Sequence, residues 1–299
     1  MPTAPEAAAP ASRLPGPVRG ACWMTLGAFW LIVMALAIRA LSPKYSVLEL
    51  IFLRSVISLI LILPWAIRQG AARLRTTRPR LHLFRNVVHY IGNLGWFFGV
   101  ATIPLADVAA LQFTLPLFTV IMAAVFLRET VGPHRWLATV VGFAGALIVI
   151  RPGFATVGIG TLAVLGSAAF YAASQTASKA LSRTESPQSV LFFMALVFVP
   201  LSAGPAALDW TTPEMADAPA ILLLGVTGYL AHFSIIRAFG AADASFVMPF
   251  DFMKLPLSAA AGFVLYLEFP DVWTWVGAVI IFGATWYITW RETRRPKHG

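Results

Sequence analysis

Four ionisable side chains, Arg54, Arg85, Asp251 and Lys254, stand inside stretches of otherwise apolar sequence. In "FVMPFDFMKLPLSAAAGF", residues 246–263, Asp251 and Lys254 lie three apart and are bracketed by Pro249 and Pro256. A charge at the centre of a bilayer costs about 2.5–3.5 kcal/mol even on insertion scales, so one that stays there needs a partner or a wet cavity. A spacing of three puts both on one helical face, where they can neutralise each other. Asp251 can equally meet Arg54 or Arg85 across a cavity. Each proline removes a backbone N–H, so the segment is predicted to be kinked or locally unwound, which lipid tolerates only where the freed groups face protein or water.

Further polar groups recur at helical spacing. Arg85, His89, Gly92 and Trp96 fall on one face, with Tyr90 and Asn93 on the adjacent strip, where Asn93 can bond an amide. Tyr171, Gln175 and Ser178 make a second stripe, and Tyr229, His232 and Ser234 supply a third set. His232 reads either as a satisfied structural histidine or as a group that touches a ligand or carries a proton. Gln112 comes shortly before Pro116, whose missing N–H frees a carbonyl. Trp96, Tyr171 and Tyr229 can stack on a flat ring. Gly95 and Gly99 form a GxxxG pair, read as a packing notch.

This chemistry is that of binding. The titratable groups are spread over several segments rather than clustered, so no catalytic residue, metal ligand or cofactor is assigned. "GIGTLA" at 158–163 matches a dinucleotide fingerprint, but it opens an apolar segment with no strand before it. The sequence has no Walker lysine motif, no HExxH and no GxSxG, which argues against ATP-driven work and the common hydrolases.

The elements that must position these residues follow from composition. Of 299 residues, 59% are apolar and 12% charged, against roughly 45–50% and about 25% in soluble domains. A helix crosses the hydrocarbon core with about 20 apolar residues, and such runs appear near 20–40, 46–67, 81–102, 106–127, 134–150, 159–180, 187–205, 217–239, 243–266 and 271–290. The run from Gly20 to Ile38 is too long for a cleaved signal and reads as the first span. The single Cys22 excludes an intramolecular disulfide. The formal charge of +9 does not point to nucleic acid, because basic residues in membrane proteins cluster in cytoplasmic loops. Ten spans put both termini on one side. Arg68, Arg73, Arg75, Arg78, Arg80, Arg128, Arg135, Lys179 and Arg183 share that side, and Arg39, Lys44 and Arg151 lie on the other, so the termini are expected in the cytoplasm.

Two stretches resemble each other: "PLADVAALQFTLPLFTVIMAAVFLRETVGPHRW" at 104–136 and "GAADASFVMPFDFMKLPLSAAAGFVLYLEFPDVWTW" at 240–275. Both run through "LPL" to a glutamate with a tryptophan seven residues later, Glu129 with Trp136 and Glu268 with Trp275. Chance likeness between apolar sequences is the competing explanation. If the halves are repeats, each has five spans, and an odd number inserts the second half upside down, with cargo near the midplane. Glu129 then ends a helix inside and Glu268 ends one outside.

The ordered set of Arg54 in "LELIFLRSVI", "PLF…FLRE" and "W…GFAGALIVIRP" resembles the EamA type of the drug/metabolite transporter superfamily, over about residues 20–290. The second half is similar to branches that include S-adenosylmethionine uptake carriers and bacterial riboflavin carriers. The resemblance implies transport of a small metabolite without fixing cargo or direction. The repeat is imperfect, since "SVLFFMALVF" at 189–198 has no counterpart of Arg54.

The expectation is therefore an all-α polytopic membrane protein with ten transmembrane helices as two inverted five-helix repeats, 20–150 and 158–290, between a disordered tail at 1–19 and a basic tail at 291–299. It is expected in the bacterial inner membrane as a secondary carrier and not an enzyme. The expected substrate-binding residues are Arg54, Arg85, His89, Asn93, Trp96, Gln112, Tyr171, Gln175, Tyr229, His232, Asp251 and Lys254. Three cations against Asp251 favour a neutral or anionic aromatic cargo such as riboflavin. The alternatives are an S-adenosylmethionine or amino-acid carrier, and, from another class, a membrane scaffold or a lipid-modifying enzyme. Partners are the lipid bilayer and a small metabolite, not nucleic acid, and a homodimer stays open.

Overall fold

A computed structural model describes residues 15–70, 76–125, 132–151, 157–181, 184–241 and 250–293. The chain is helical, with no strand among the described residues. The helices are α1 Gly16–Leu41, α2 Val47–Gln69, α3 Pro79–Thr102, α4 Leu105–Gln112, α5 Leu115–Val125, α6 Pro133–Ile150, α7 Ile159–Leu181, α8 Pro187–Leu208, α9 Ala218–Ala241, α10 Lys254–Tyr266 and α11 Val272–Thr293. Local chemistry sets several of these ends. The Ser46 side chain caps α2 by accepting from the Glu49 N–H, and Ser186 caps α8 through Ser189 in the same way. Pro79 and Pro133 open α3 and α6, where a missing N–H costs nothing. Gly70 at φ 75 ends α2 in a conformation that favours glycine.

Five described stretches are long and apolar enough to cross a membrane by length and composition: Gly16–Leu41, Val47–Gln69, Leu105–Met122, Gln188–Leu208 and Met215–Ala238. The 24-residue α3 is not among them. It carries Arg85, Asn86, His89 and Asn93, and its polar residues are turned inward. The outward surface is apolar instead, with Ile60, Leu137, Val140, Val264 and Val279 each 60% exposed or more. A surface of that kind is stable in lipid and not in water.

The span expected at 106–127 is split in two. Pro116 cannot donate to the Gln112 carbonyl, so α4 stops at Gln112 and α5 restarts at Leu115 across a turn at 113–114. The same device recurs in the second half. Pro256 sits near the start of α10, and a turn at 252–253 precedes it, as the expected unwinding required. Both breaks carry the "LPL" triplet, and they pack together, with the Phe113 and Phe252 rings 4.4 Å apart. Pro249 and Glu129, to which the sequence also gave roles, lie outside the described residues.

Packing between the halves is reciprocal. The first helix of one half packs on the third of the other, α1 on α9 and α7 on α3. Second meets second as α2 on α8, fourth meets fourth as α4 on α10, and fifth meets fifth as α6 on α11. An exchange of halves that leaves these pairings unchanged is the mark of a pseudo-two-fold axis through the bundle centre, and five spans per half make the repeat an inverted one. Small residues make the closest of these approaches. A Cβ on Gly95 would lie 2.5 Å from the Ala163 carbonyl oxygen, and one on Gly99 would lie 2.0 Å from Val164 Cγ2, so α7 seats in the GxxxG notch of α3.

Candidate functional site

A cavity of about 140 Å³ lies where the two halves meet, walled by α1, α3, α4, the start of α5, α7, α9 and α10. Eight of the twelve side chains singled out in the sequence line it: His89, Asn93, Trp96, Gln112, Tyr171, Gln175, His232 and Lys254. The apolar wall comes from α1, through Leu31, Ile32, Met34 and Ala35, with Val108 and Ile235 from α4 and α9. Ser258 adds a hydroxyl from α10.

The polar lining is tied together across helices. Tyr171 Oη donates to Asn93 Oδ1 at 3.2 Å, and the Asn93 amide donates to the His89 carbonyl at 3.2 Å. The Tyr171 ring occupies the space left by Gly92, where a Cβ would sit 2.9 Å from it. Gln112 Nε2 donates to the Val164 carbonyl at 3.2 Å and to Ser167 Oγ at 2.5 Å, which fixes the α4 break to α7. Gln175 is exposed to the cavity. Ser174 Oγ meets His89 Nδ1 at 3.2 Å, His89 Nε2 faces His232 Nε2 at 3.4 Å, and His232 Nδ1 lies 2.9 Å from the Gly228 carbonyl.

The other four candidates lie behind this lining. Lys254 Nζ is 2.5 Å from Asp251 Oδ1, so of the pairings open to Asp251 the structure selects the local one. Arg85 is 6% exposed; its Nε donates to Ser178 Oγ at 3.0 Å and its Nη1 to Asn86 Oδ1 at 2.7 Å. Arg54 is 2% exposed, held between aromatic faces with its guanidinium carbon 5.6 Å from the Phe97 ring and 5.8 Å from the Phe198 ring. Its Nε has no hydrogen-bond partner, and no carboxylate pairs with it among the described residues. Gly228 makes room for it, since a Cβ there would lie 3.0 Å from Arg54 Cδ. Tyr229 stacks on Phe233 at 6.1 Å and does not reach the cavity.

A second cluster closes the bundle end opposite the termini. Arg39 Nε donates to the Val100 carbonyl at 2.6 Å, its Nη2 to the Ile103 carbonyl and its Nη1 to Glu268. Glu268 Oε2 in turn accepts from the Leu105 N–H at 3.0 Å. Arg151 pairs with Asp271 at 2.6 Å, and Thr274 donates to Asp107 at 2.6 Å. Each of these contacts except the two carbonyl bonds joins one half to the other. Beside them, hydrogen bonding to Asp217 holds the Lys44 ammonium above the usual lysine range. Sequence alone marks Arg39 as a charge on the face opposite the termini and Glu268 as a repeat glutamate that ends a helix on that face. Arg39 lies in the last turn of α1 and Glu268 two residues beyond the end of α10, and that placement at helix ends is the one signal of a closure.

A bundle of two inverted five-helix halves around a polar, aromatic central cavity defines a multi-pass membrane transporter. The chain belongs to the EamA-like transporter family, which matches it twice, over residues 18–151 and 158–290. It is 33% identical over 283 residues to a riboflavin transporter of Rhizobium johnstonii, covering 94% of each chain. It is also 33% identical over 254 residues to an S-adenosylmethionine uptake transporter of Rickettsia bellii, covering 85% of this chain and 87% of that one. A crystal structure of another protein superposes with a TM-score of 0.65 at 18% identity, over 92% of this chain and 99% of that one, and shares the fold.

Proposed function

We propose that the chain is a secondary carrier of a neutral or anionic aromatic metabolite, with riboflavin the leading cargo, working by alternating access in a bacterial inner membrane with both termini cytoplasmic. The observation that carries the cargo class is the charge inventory around the cavity. Lys254 is neutralised by Asp251, while Arg54 and Arg85 have no carboxylate partner among the described residues. That field disfavours a sulfonium such as S-adenosylmethionine and favours electron-rich or anionic groups. The name of the Rhizobium relative supports the flavin reading and that of the Rickettsia relative supports the alternative. His89, Trp96 and Tyr171 offer faces for a fused ring, and Asn93, Gln112 and Gln175 offer amides for its carbonyl edge.

At about 140 Å³ the cavity is smaller than the roughly 300 Å³ at which pockets for drug-sized ligands begin. Loading therefore requires the halves to part, and the reciprocal packing gives two related ways of doing so. The test is rescue of bacterial auxotrophs that express the chain. Growth of a riboflavin auxotroph on low external riboflavin is the expected result. Rescue of an S-adenosylmethionine auxotroph instead reverses the cargo assignment, and rescue of neither overturns uptake of both.

A further inference from the structure

His89 stands on the third helix of the first half and His232 on the third helix of the second, and their Nε2 atoms face each other at 3.4 Å. We infer that this pair is a proton-binding site that couples cargo movement to one proton, in symport. The inference rests on the carrier reading above and deepens it by naming the driving ion and the residues that hold it.

The hydrogen-bond chain fixes where protons sit. The Gly228 carbonyl only accepts, so His232 Nδ1 at 2.9 Å carries a proton and the Nε2 of neutral His232 is a lone pair. His89 Nε2 must then be the donor across the gap, and His89 Nδ1 accepts from the Ser174 hydroxyl at 3.2 Å. The neutral pair owns two N–H groups, one spent on Gly228 and one on the other imidazole. None is left for the cavity that both rings line. A cargo acceptor, whether a carbonyl oxygen, an aromatic ring nitrogen or a carboxylate, gains a donor here only when a third proton is present. That proton leaves a hydronium on the loading side and forms an N–H bond at His232 Nε2, whose lone pair gives up the hydrogen bond it accepted from His89 Nε2–H. The two Nε2–H groups then turn from each other toward the cavity, and the proton returns to water on the other side when the cargo departs. Proton and acceptor favour each other's binding, and a carrier that reorients only with both or neither bound moves them together in symport.

The charged and titratable groups around the pair strengthen the linkage. Arg54 from α2, Arg85 from α3 and Lys254 from the start of α10 all act on His232, and Arg54 and Arg85 act on His89. Asp251 is held by Lys254, Tyr171 from α7 lies against His89 with ring centroids 5.0 Å apart, and α8 presents the Phe198 ring. A proton added among these cations is an uncompensated charge until an electron-rich or anionic cargo arrives. Because the rings belong to opposite halves, parting of the halves separates them and breaks the shared bond.

The experiment uses the full chain in proteoliposomes with radiolabelled riboflavin as the probe, the membrane potential clamped at zero and a pH difference of one unit, acid outside. One proton per riboflavin gives a steady-state inside-to-outside ratio of about ten. In His89→Gln and His232→Gln the ratio is expected to fall to about one, at whatever rate equilibration proceeds. A purely structural role for the histidines would change that rate and leave the ratio untouched. A wild-type ratio of one with riboflavin counterflow intact overturns the coupling and leaves the carrier reading standing, as does a ratio of ten that persists in both variants. Absence of riboflavin counterflow from the wild-type chain overturns the carrier reading and this one with it.

Discussion

Replacing Arg54 with Met is expected to make the protein more stable and nearly inactive. A guanidinium at 2% exposure, with aromatic faces on two sides and an unpartnered Nε, carries a desolvation cost that no ion pair offsets. Exchange of buried ion pairs for apolar side chains of similar volume is neutral or stabilises by about 1–4 kcal/mol, and an unpaired guanidinium has less Coulombic gain to lose. A rise in unfolding temperature is therefore expected in detergent, against the usual direction for a change in a buried residue. Uptake in proteoliposomes should drop by tenfold or more, because Arg54 supplies the positive field behind the two histidines. Arg54→Lys restores the charge without the planar ring contacts and should recover part of the activity. Full activity in the Met variant, or a fall in its unfolding temperature, would mean that Arg54 is a structural cation.

The second large effect is expected at the end opposite the termini. Arg39 joins the end of α1 to the carbonyls of Val100 and Ile103 and to Glu268 of the other half, with both charged side chains less than a fifth exposed. Truncating one member of such a pair costs about 2–5 kcal/mol, much of it from the partner left behind. The cost falls only on the conformation closed at this end. Arg39→Gln should shift the balance toward opening there by roughly thirtyfold, which is what 2 kcal/mol does to an equilibrium. Spin labels at Pro43→Cys and Phe269→Cys, in a Cys22→Ser background, straddle the closure. Their distance distribution should move to longer values in Arg39→Gln and in Glu268→Gln. An unchanged distribution in both would show that the cluster only solvates helix ends.

Much of the architecture was legible because lipid leaves few choices. A backbone without water must be helical or a closed barrel, and apolar runs of about 20 residues select helices and set the spans, while an odd number of spans per half sets the inversion. The split of the fourth span was written in Pro116, but helix length alone suggested a continuous segment. The cavity was legible in part for the same reason: polar residues at helical spacing on α3 and α7 had to face inward. Which of them meet was not legible. His89 and His232 are 143 positions apart, and Arg39 and Glu268 are 229 apart. Such pairs depend on how helices cross, and single-helix periodicity carries no record of that. The same limit explains why Tyr229, on an inward-reading strip, stacks on Phe233 instead of lining the cavity.

The most direct test places a cysteine at Ser258, which is 2% exposed and lines the cavity, in a Cys22→Ser background. In right-side-out and inverted vesicles, a membrane-impermeant thiol reagent should reach this position from each side, and saturating riboflavin should slow both reactions. Labelling from one side only, under every condition, or from neither, would contradict a cavity that opens alternately to the two faces of the membrane.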